Sequence, residues 1–87
     1  MKIIKGYFIP KDHERYELYF SKFDHYQEAQ RNRALAQVKN WNLAIDIGAN
    51  IGLWSRDLTS FFDKTICFEP NLNCIKCLKK NIEIKFF

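Results

Sequence analysis

The chain has 87 residues, a hydrophobic content of 47% and a formal net charge of +4, which exclude a disordered chain and allow one domain at most. Because the charge is mild and no aromatic-rich basic motif accompanies it, we expect solvated lysines rather than a nucleic-acid interface. The three cysteines exclude a closed set of disulfides, and no stretch is apolar enough for a leader or a membrane span, which predicts a cytoplasmic protein without membrane contact.

The N-terminal part of the chain is predicted to hold an extended segment and two helices. Residues 2 to 9 are apolar enough for an edge strand or a packed tail, and Asp12 can cap a first helix. Asp24 and Gln27 have the spacing of a capping box for a second helix over residues 25 to 38. We expect the aromatic residues of both helices to belong to the core.

The stretch LAIDIGANIGLW organises the rest of the chain. Its first residues, 43 to 47, form an apolar run typical of a strand buried on both faces of a parallel sheet, although Asp46 is costly there without partners. Gly48 and Gly52 then make a turn, and helical spacing of apolar residues follows over residues 52 to 62. A strand, a glycine turn and a helix begin a βαβ unit, which holds small ligands at the carboxyl end of its strands.

The same alternation continues to the end of the chain. A second strand is predicted over residues 65 to 68, and Asn71 or Asn73 can start the next helix. Asn81 can take a left-handed cap at the end of that helix, after which residues 82 to 87 read as a third strand. The predicted fold class is therefore α/β, with a Rossmann-like alternation of strands and helices.

The glycine spacing narrows the kind of ligand. The loop lacks the lysine-serine or lysine-threonine ending of a P-loop, and its G-x-x-x-G spacing differs from the dinucleotide G-x-G-x-x-G motif. Glu69 follows Gly48 by about 20 positions, immediately after the second predicted strand. A carboxylate at that strand end can accept hydrogen bonds from ribose hydroxyls, which indicates a ligand with a nucleoside part.

The loop DIGANIG resembles the acidic-x-G-x-G-x-G loop of Rossmann-like methyltransferases, with Asn50 in place of the middle glycine. Residues 43 to 87 resemble the FkbM family of S-adenosylmethionine-dependent methyltransferases through the segments AIDIGANIGLWS, ICFEPN and CLKKNI. Tyr26, Gln27 and the QRNRAL segment are similar to the lead-in of small, often phage-borne members. The resemblance implies S-adenosylmethionine as cofactor and methyl transfer, usually to an oxygen of a small molecule or sugar.

The resemblance also implies a role for each loop residue. Asp46 would contact the methionine part of the cofactor or orient the loop. The backbone amides of Ala49 and Asn50 would face the cofactor. Gly48 and Gly52 would let the backbone approach the cofactor. Glu69 would accept hydrogen bonds from its ribose hydroxyls.

The resembled fold has seven strands, of which this sequence is predicted to supply three. We therefore expect residues 1–40 to form a lead-in and residues 41–87 to form a partial S-adenosylmethionine-binding domain, truncated after the third strand. The open edge of the first sheet strand would then pair with a second chain or with the missing C-terminal half. The groups that bind the methyl acceptor and the catalytic residues stay unknown, and we expect no methyl transfer by these residues alone.

Two alternatives belong to other functional classes. The chain could be a non-catalytic remnant, or a split-subunit module that needs a second chain. It could also bind nucleic acid through the basic region of Arg31, Arg33 and Lys39. The first alternative depends on the missing half of the sheet, and the second would give binding that falls steeply with salt.

The C-x-x-C pair of Cys74 and Cys77 allows a metal or redox site. A zinc site needs two further ligands, but Cys67, His13 and His25 lack paired-ligand spacing. We therefore expect no metal, and we expect the two cysteines to be small buried hydrophobes.

Overall fold

Four helices and two two-stranded sheets form the described part of the chain, which comprises residues 1–11, 14–22 and 26–85 of a computed structural model. In chain order the elements are β1 Lys2–Ile4, β2 Tyr7–Ile9, α1 Glu14–Lys22, α2 Glu28–Leu35, β3 Leu43–Ile47, α3 Ser55–Phe61, β4 Lys64–Phe68 and α4 Leu72–Lys85. This small mixed arrangement agrees with the predicted α/β class. None of the helices in these ranges is both long and apolar enough to cross a membrane.

The N-terminal segment folds back on itself as a hairpin. The strands β1 and β2 pair antiparallel, with Lys2 opposite Ile9, so the predicted single extended segment is wrong. The turn at Lys5 and Gly6 lies in the left-handed region of backbone space, which suits a tight hairpin connection. Ile9 is completely buried, and it fixes the end of the hairpin in the core.

The two predicted N-terminal helices are present, with different limits. The first is α1, whose predicted cap Asp12 lies outside the described residues. The second, α2, is shorter than the predicted range of 25 to 38. Its N-cap is Gln27 in left-handed conformation without a side-chain cap bond. The capping box that placed Gln27 inside the helix is therefore wrong, and its other member, Asp24, lies outside the described residues.

The second sheet consists of β3 and β4, which run parallel with Leu43 opposite Lys64 and Ile47 opposite Phe68. Both predicted strands are confirmed, and β4 begins one residue earlier than predicted. No other strand within the described ranges pairs with either of them.

One face of this parallel sheet is uncovered. Ala44 is buried on the side of β3 that faces the body of the protein, whereas Ile45 is 56% and Ile47 82% exposed on the opposite side. The prediction of a strand buried on both faces is therefore wrong for this face, because no described element packs against it. Parallel sheets are normally covered on both faces, so the apolar surface around Ile45 and Ile47 is unusual.

The helix after the glycine turn starts at Ser55 rather than at residue 52, because residues 51 to 54 complete the turn. The last helix, α4, begins as predicted. The Asn71 side-chain oxygen accepts hydrogen bonds from the backbone N–H groups of Asn73 at 2.9 Å and Cys74 at 3.2 Å. This arrangement is an N-cap.

The end of α4 differs from the prediction. Residues 82 to 85 continue the helix, so the predicted third strand is wrong over them, and residues 86 and 87 lie outside the described residues. Asn81 is not a left-handed cap but a completely buried residue inside the helix. Its Nδ2 donates to the carbonyls of Phe8 at 2.9 Å and Ile51 at 2.6 Å, and its Oδ1 accepts from the Phe8 N–H at 2.6 Å. These bonds tie α4 to the hairpin and to the glycine loop.

The core lies between the hairpin, α1, the glycine turn and α4. Its buried members are Ile9, Tyr16, Phe20, Ile51, Leu53, Cys74 and Cys77. The prediction that the two cysteines of the C-x-x-C pair are buried hydrophobes is confirmed. The described residues contain no group of three histidine, cysteine or acidic side chains that could hold a metal ion.

Candidate functional site

The glycine loop, residues 48 to 52, connects the carboxyl end of β3 to α3. Gly48 has φ +77° and Gly52 has φ +95°, which side chains with a Cβ rarely adopt. Asn50 has φ 55°, and asparagine tolerates this left-handed geometry better than most residues. The three residue types therefore suit the conformation of the loop.

The two glycines have different surroundings. A Cβ at Gly48 would meet no atom within 4 Å, so this position opens into free space. A Cβ at Gly52 would lie 2.9 Å from Cδ1 of Leu78 on α4. Gly52 thus permits close packing of the loop on α4, and its approach to a ligand stays a prediction.

The backbone amides of the loop point to the end of β4. The N–H groups of Gly48 and Ala49 donate to the Phe68 carbonyl at 2.9 and 3.0 Å. The Asn50 N–H donates to Oε1 of Glu69 at 2.8 Å. The Ala49 and Asn50 amides are thus engaged within the protein, and their contact with a cofactor stays a prediction.

Glu69 lies directly after β4, as predicted, and is half-buried. Besides the bond from Asn50, its Oε2 accepts a hydrogen bond from the Asn71 N–H at 3.0 Å. An ionised carboxylate offers about four acceptor positions, so two bonds do not exhaust its capacity. Glu69 supports the loop from behind and retains the ability to accept hydrogen bonds from hydroxyls.

Asp46 receives support from a residue that sequence reasoning missed. The hydroxyl of Ser55 donates to Oδ2 of Asp46 at 2.5 Å, and the thiol of Cys67 donates to the Ser55 oxygen at 3.1 Å. Ser55 is completely buried at the start of α3. This chain of hydrogen bonds stabilises the orientation of the Asp46 carboxylate inside the apolar sheet.

A cleft of about 290 Å³ opens beside the glycine loop, at the carboxyl end of β3. We call it the loop cleft. Its lining residues are Tyr26, Gln27, Asp46, Ile47, Gly48, Ala49, Asn50, Leu53 and Trp54. Four of the six predicted site residues therefore meet in one cleft, whereas Gly52 and Glu69 are not among its lining residues. The location is typical of ligand sites in open α/β sheets.

A second cleft of about 230 Å³ adjoins the first. We call it the aromatic cleft. Its lining residues are Arg15, Tyr16, Tyr19, Phe20, Tyr26, Asn50 and Leu53, and the last three of these also line the loop cleft. The Tyr16 hydroxyl donates a hydrogen bond to Oδ1 of Asn50 and so connects α1 to the glycine loop. Sequence reasoning assigned these aromatic residues to the core and missed that they border a cleft.

Burial sets the protonation of Tyr16. Loss of solvent raises the pKa of its hydroxyl above the ordinary value, and the neighbouring Cys74 raises this pKa further, while Arg15 opposes both effects. Tyr16 is therefore a neutral hydrogen-bond donor at physiological pH, as its contact with Asn50 requires.

The helix α2 is fixed beside the loop cleft by Arg31. This residue is buried, and its Nε lies 2.6 Å from Oδ2 of Asp57 on α3. Its guanidinium also lies over the ring of Trp54, which donates a hydrogen bond to Gln27 at 2.8 Å. Arg31 therefore serves to hold α2 against α3, and the alternative of a nucleic-acid interface stays an untested hypothesis.

Comparison with known protein families, curated proteins and solved structures finds no match to this chain. The resemblance to the FkbM family therefore depends on the sequence motifs alone.

Proposed function

We propose that this chain binds S-adenosylmethionine in the loop cleft and is the cofactor-binding part of a methyltransferase that resembles the FkbM family. The observation that carries the proposal is the opening of Gly48 into a cleft that Asp46 and Asn50 also line, at the carboxyl end of a parallel strand. This is where open α/β sheets bind nucleoside-containing ligands. The motifs DIGANIG and FEPN supply the link to methyltransferases.

The internal hydrogen bonds of the loop decide which groups would hold the cofactor. Because the N–H groups of Ala49 and Asn50 are engaged, polar contacts fall to side chains. The carboxylate of Asp46 would attract the ammonium group of the methionine part. Glu69 does not line the loop cleft, so the nucleoside part of the cofactor would extend past Asn50 to reach it, and its remaining acceptor positions would then accept the ribose hydroxyls. Gly48 would let the backbone approach without a Cβ in the way.

When bound, S-adenosylmethionine supplies an electrophilic methyl group that needs no metal for its release. The contribution of the protein is to hold the methyl donor and the acceptor oxygen in line, which removes much of the entropic barrier. Asp46, held by Ser55, orients the donor in this scheme. We assign no catalytic base, and the acceptor is a small molecule that carries a hydroxyl group.

Thermal unfolding with and without S-adenosylhomocysteine tests the proposal. A hundredfold excess of ligand over its Kd stabilises a folded protein by about 2.7 kcal/mol, so we expect a clear rise of the Tm. Gly48→Val should abolish this rise, because its side chain enters the loop cleft. Gly6→Ala is the matched control, since Gly6 also has a positive φ but lies outside the cleft. An unchanged Tm of the wild-type chain, or an equal rise in Gly48→Val, contradicts the proposal.

A second candidate is a non-catalytic module that needs a second polypeptide. The uncovered apolar face of the β3–β4 sheet favours it, because Ile45 and Ile47 are exposed where parallel sheets are normally covered. The second polypeptide would add a strand beside β3 and bury this face. In that case Ile47→Lys would abolish association with it, whereas S-adenosylhomocysteine would leave the Tm unchanged.

A further inference from the structure

The aromatic cleft offers ring surfaces rather than backbone groups. Tyr16 and Phe20 are almost completely buried and form its bottom, whereas Tyr19 and Tyr26 are half-buried near its opening. The rings of Tyr19 and Tyr26 lie 4.9 Å apart in a tilted arrangement. Aromatic rings pack favourably against the faces and edges of other rings, so the cleft fits a planar aromatic group.

Arg15 is the one charged residue among the described residues that line this cleft. Arg15 is exposed at the rim, with its guanidinium 5.3 Å from the centre of the Tyr16 ring. No acidic residue is among the lining residues within the described part of the chain. An arginine at the edge of an aromatic surface favours a ligand with a carboxylate or another anionic group. The loop cleft is lined by Asp46 and therefore favours a ligand with a cationic group.

The two clefts are adjacent. Tyr26, Asn50 and Leu53 line both of them, so a ligand in one would lie beside a ligand in the other. Asn50 marks the boundary, because its backbone belongs to the glycine loop and its side chain accepts the hydrogen bond from Tyr16. Adjacent sites of opposite charge preference suit a donor and an acceptor of a transferred group.

We infer that the aromatic cleft binds the methyl acceptor and that this acceptor is a hydroxyl-bearing aromatic ring with an anionic substituent, an inference that rests on the proposed function. In the transfer, the ring hydroxyl oxygen bonds to the methyl carbon as the bond between this carbon and the sulfonium sulfur breaks. The electron pair of the broken bond stays on sulfur, and the hydroxyl proton passes to water. The helix α1 then contributes the acceptor site, with Arg15 as its anion-binding residue.

Binding of 4-hydroxybenzoate to the whole chain tests the inference. We would label the tyrosines with ¹³C and follow their ring signals by NMR during a titration, with and without S-adenosylhomocysteine. The signals of Tyr16, Tyr19 and Tyr26 should move, whereas the indole N–H signal of Trp41, which packs on Phe61 and Phe62 outside the cleft, should not. The uncharged 4-hydroxybenzyl alcohol should bind about tenfold more weakly, which corresponds to about 1.4 kcal/mol.

Two arginine variants separate a specific contact from general attraction of an anion. Arg15→Gln should weaken the binding of 4-hydroxybenzoate about tenfold and leave the binding of the uncharged alcohol unchanged. Arg33→Gln removes the same charge from an exposed position on α2 outside the cleft, and it should change neither affinity. Both positions are exposed, so circular dichroism should show an unchanged fold.

The outcomes distinguish this inference from the proposed function. Binding of S-adenosylhomocysteine without any movement of the three cleft tyrosines by 4-hydroxybenzoate overturns the inference and leaves the proposed function intact. An equal loss of affinity in Arg15→Gln and Arg33→Gln overturns it as well. If 4-hydroxybenzoate binds but S-adenosylhomocysteine does not, the assignment as an acceptor site fails together with the proposed function.

Discussion

Oε1 of Glu69 lies 2.8 Å from the backbone nitrogen of Asn50 and accepts its hydrogen bond. This contact joins the end of β4 to the middle of the glycine loop. The residue that the sequence marks as a ribose acceptor is thus also a support of the loop that would hold the methionine part. A ligand contact at Glu69 and the conformation of the loop therefore depend on each other.

Replacement of Glu69 should affect both stability and binding. Glu69→Ala removes the acceptor for the N–H groups of Asn50 and Asn71, which should lower the free energy of unfolding by about 1–2 kcal/mol. Glu69→Gln keeps one acceptor oxygen, so this variant should lose less free energy of unfolding than Glu69→Ala. Urea unfolding measures both values, and equal stability of Glu69→Ala and the wild-type chain would refute the supporting role.

The two loop glycines should separate stability from ligand binding. Gly52→Ala introduces a Cβ into buried Leu78 and a strained φ, and it should cost about 2–3 kcal/mol. Gly48→Ala meets open space, so only strain of about 1 kcal/mol is expected, together with weaker binding of S-adenosylhomocysteine. Urea unfolding and ligand titration of both variants check this order. A larger loss of stability in Gly48→Ala than in Gly52→Ala would contradict the open space at Gly48 and the contact of Gly52 with Leu78.

Asn81 should be one of the most sensitive positions of the chain. Asn81→Leu keeps a similar volume but leaves the N–H and carbonyl of Phe8 and the carbonyl of Ile51 without this partner. We expect a loss of about 2–4 kcal/mol. Hydrogen exchange of the Phe8 amide should accelerate more than global unfolding predicts. An unchanged exchange rate at Phe8 would show that the hairpin does not depend on α4.

Stability should fall at alkaline pH. Burial, and then Cys74, raises the pKa of the Cys77 thiol above its ordinary value of 9.0. The same two causes raise the pKa of the Tyr16 hydroxyl above its ordinary value of 10.0. Above these ordinary values the unfolded chain loses protons that the folded chain keeps. Each contribution is therefore fully present below its ordinary value and is lost as the pH rises through the raised value.

The slope for each group is at most about 1.4 kcal/mol per pH unit. Urea unfolding between pH 8 and pH 11 should show this decline in the wild-type chain and a flatter dependence in Cys77→Ala and Tyr16→Phe. If both variants decline as steeply as the wild-type chain, other groups cause the effect.

The two strands of the parallel sheet, β3 and β4, and the glycine loop could be predicted because their signals are local. An apolar run, glycines at positions of positive φ and Asn71 as a cap each act over a few residues. The prediction of a third strand was wrong because the alternation of Ile82 and Ile84 with charged residues matches the period of a strand, whereas these residues continue α4. The packing of α4 on the hairpin and the glycine loop through Asn81 is tertiary, and no short window of sequence contains it.

The site could be predicted in part for the same reason. The positions of Asp46, Gly48 and Asn50 at a strand end follow from the motif, and the structure brings them together in the loop cleft. The partners of the Asn50 amide and the Asp46 carboxylate do not follow, because Glu69 and Ser55 are brought to them by folding. The aromatic cleft likewise needs α1 beside the loop, which only tertiary packing provides.

An ¹H–¹⁵N NMR titration of the wild-type chain with S-adenosylhomocysteine tests the central claim most directly, because it locates the ligand as well as detecting it. The account predicts saturable shifts of the Gly48 and Asn50 amides and of the Trp54 indole N–H, which belong to residues of the loop cleft. The amide of Gly6, in the hairpin turn outside the loop cleft, should stay unchanged. The absence of shifts at the loop cleft with millimolar ligand, in a spectrum of a folded protein, would contradict the claim.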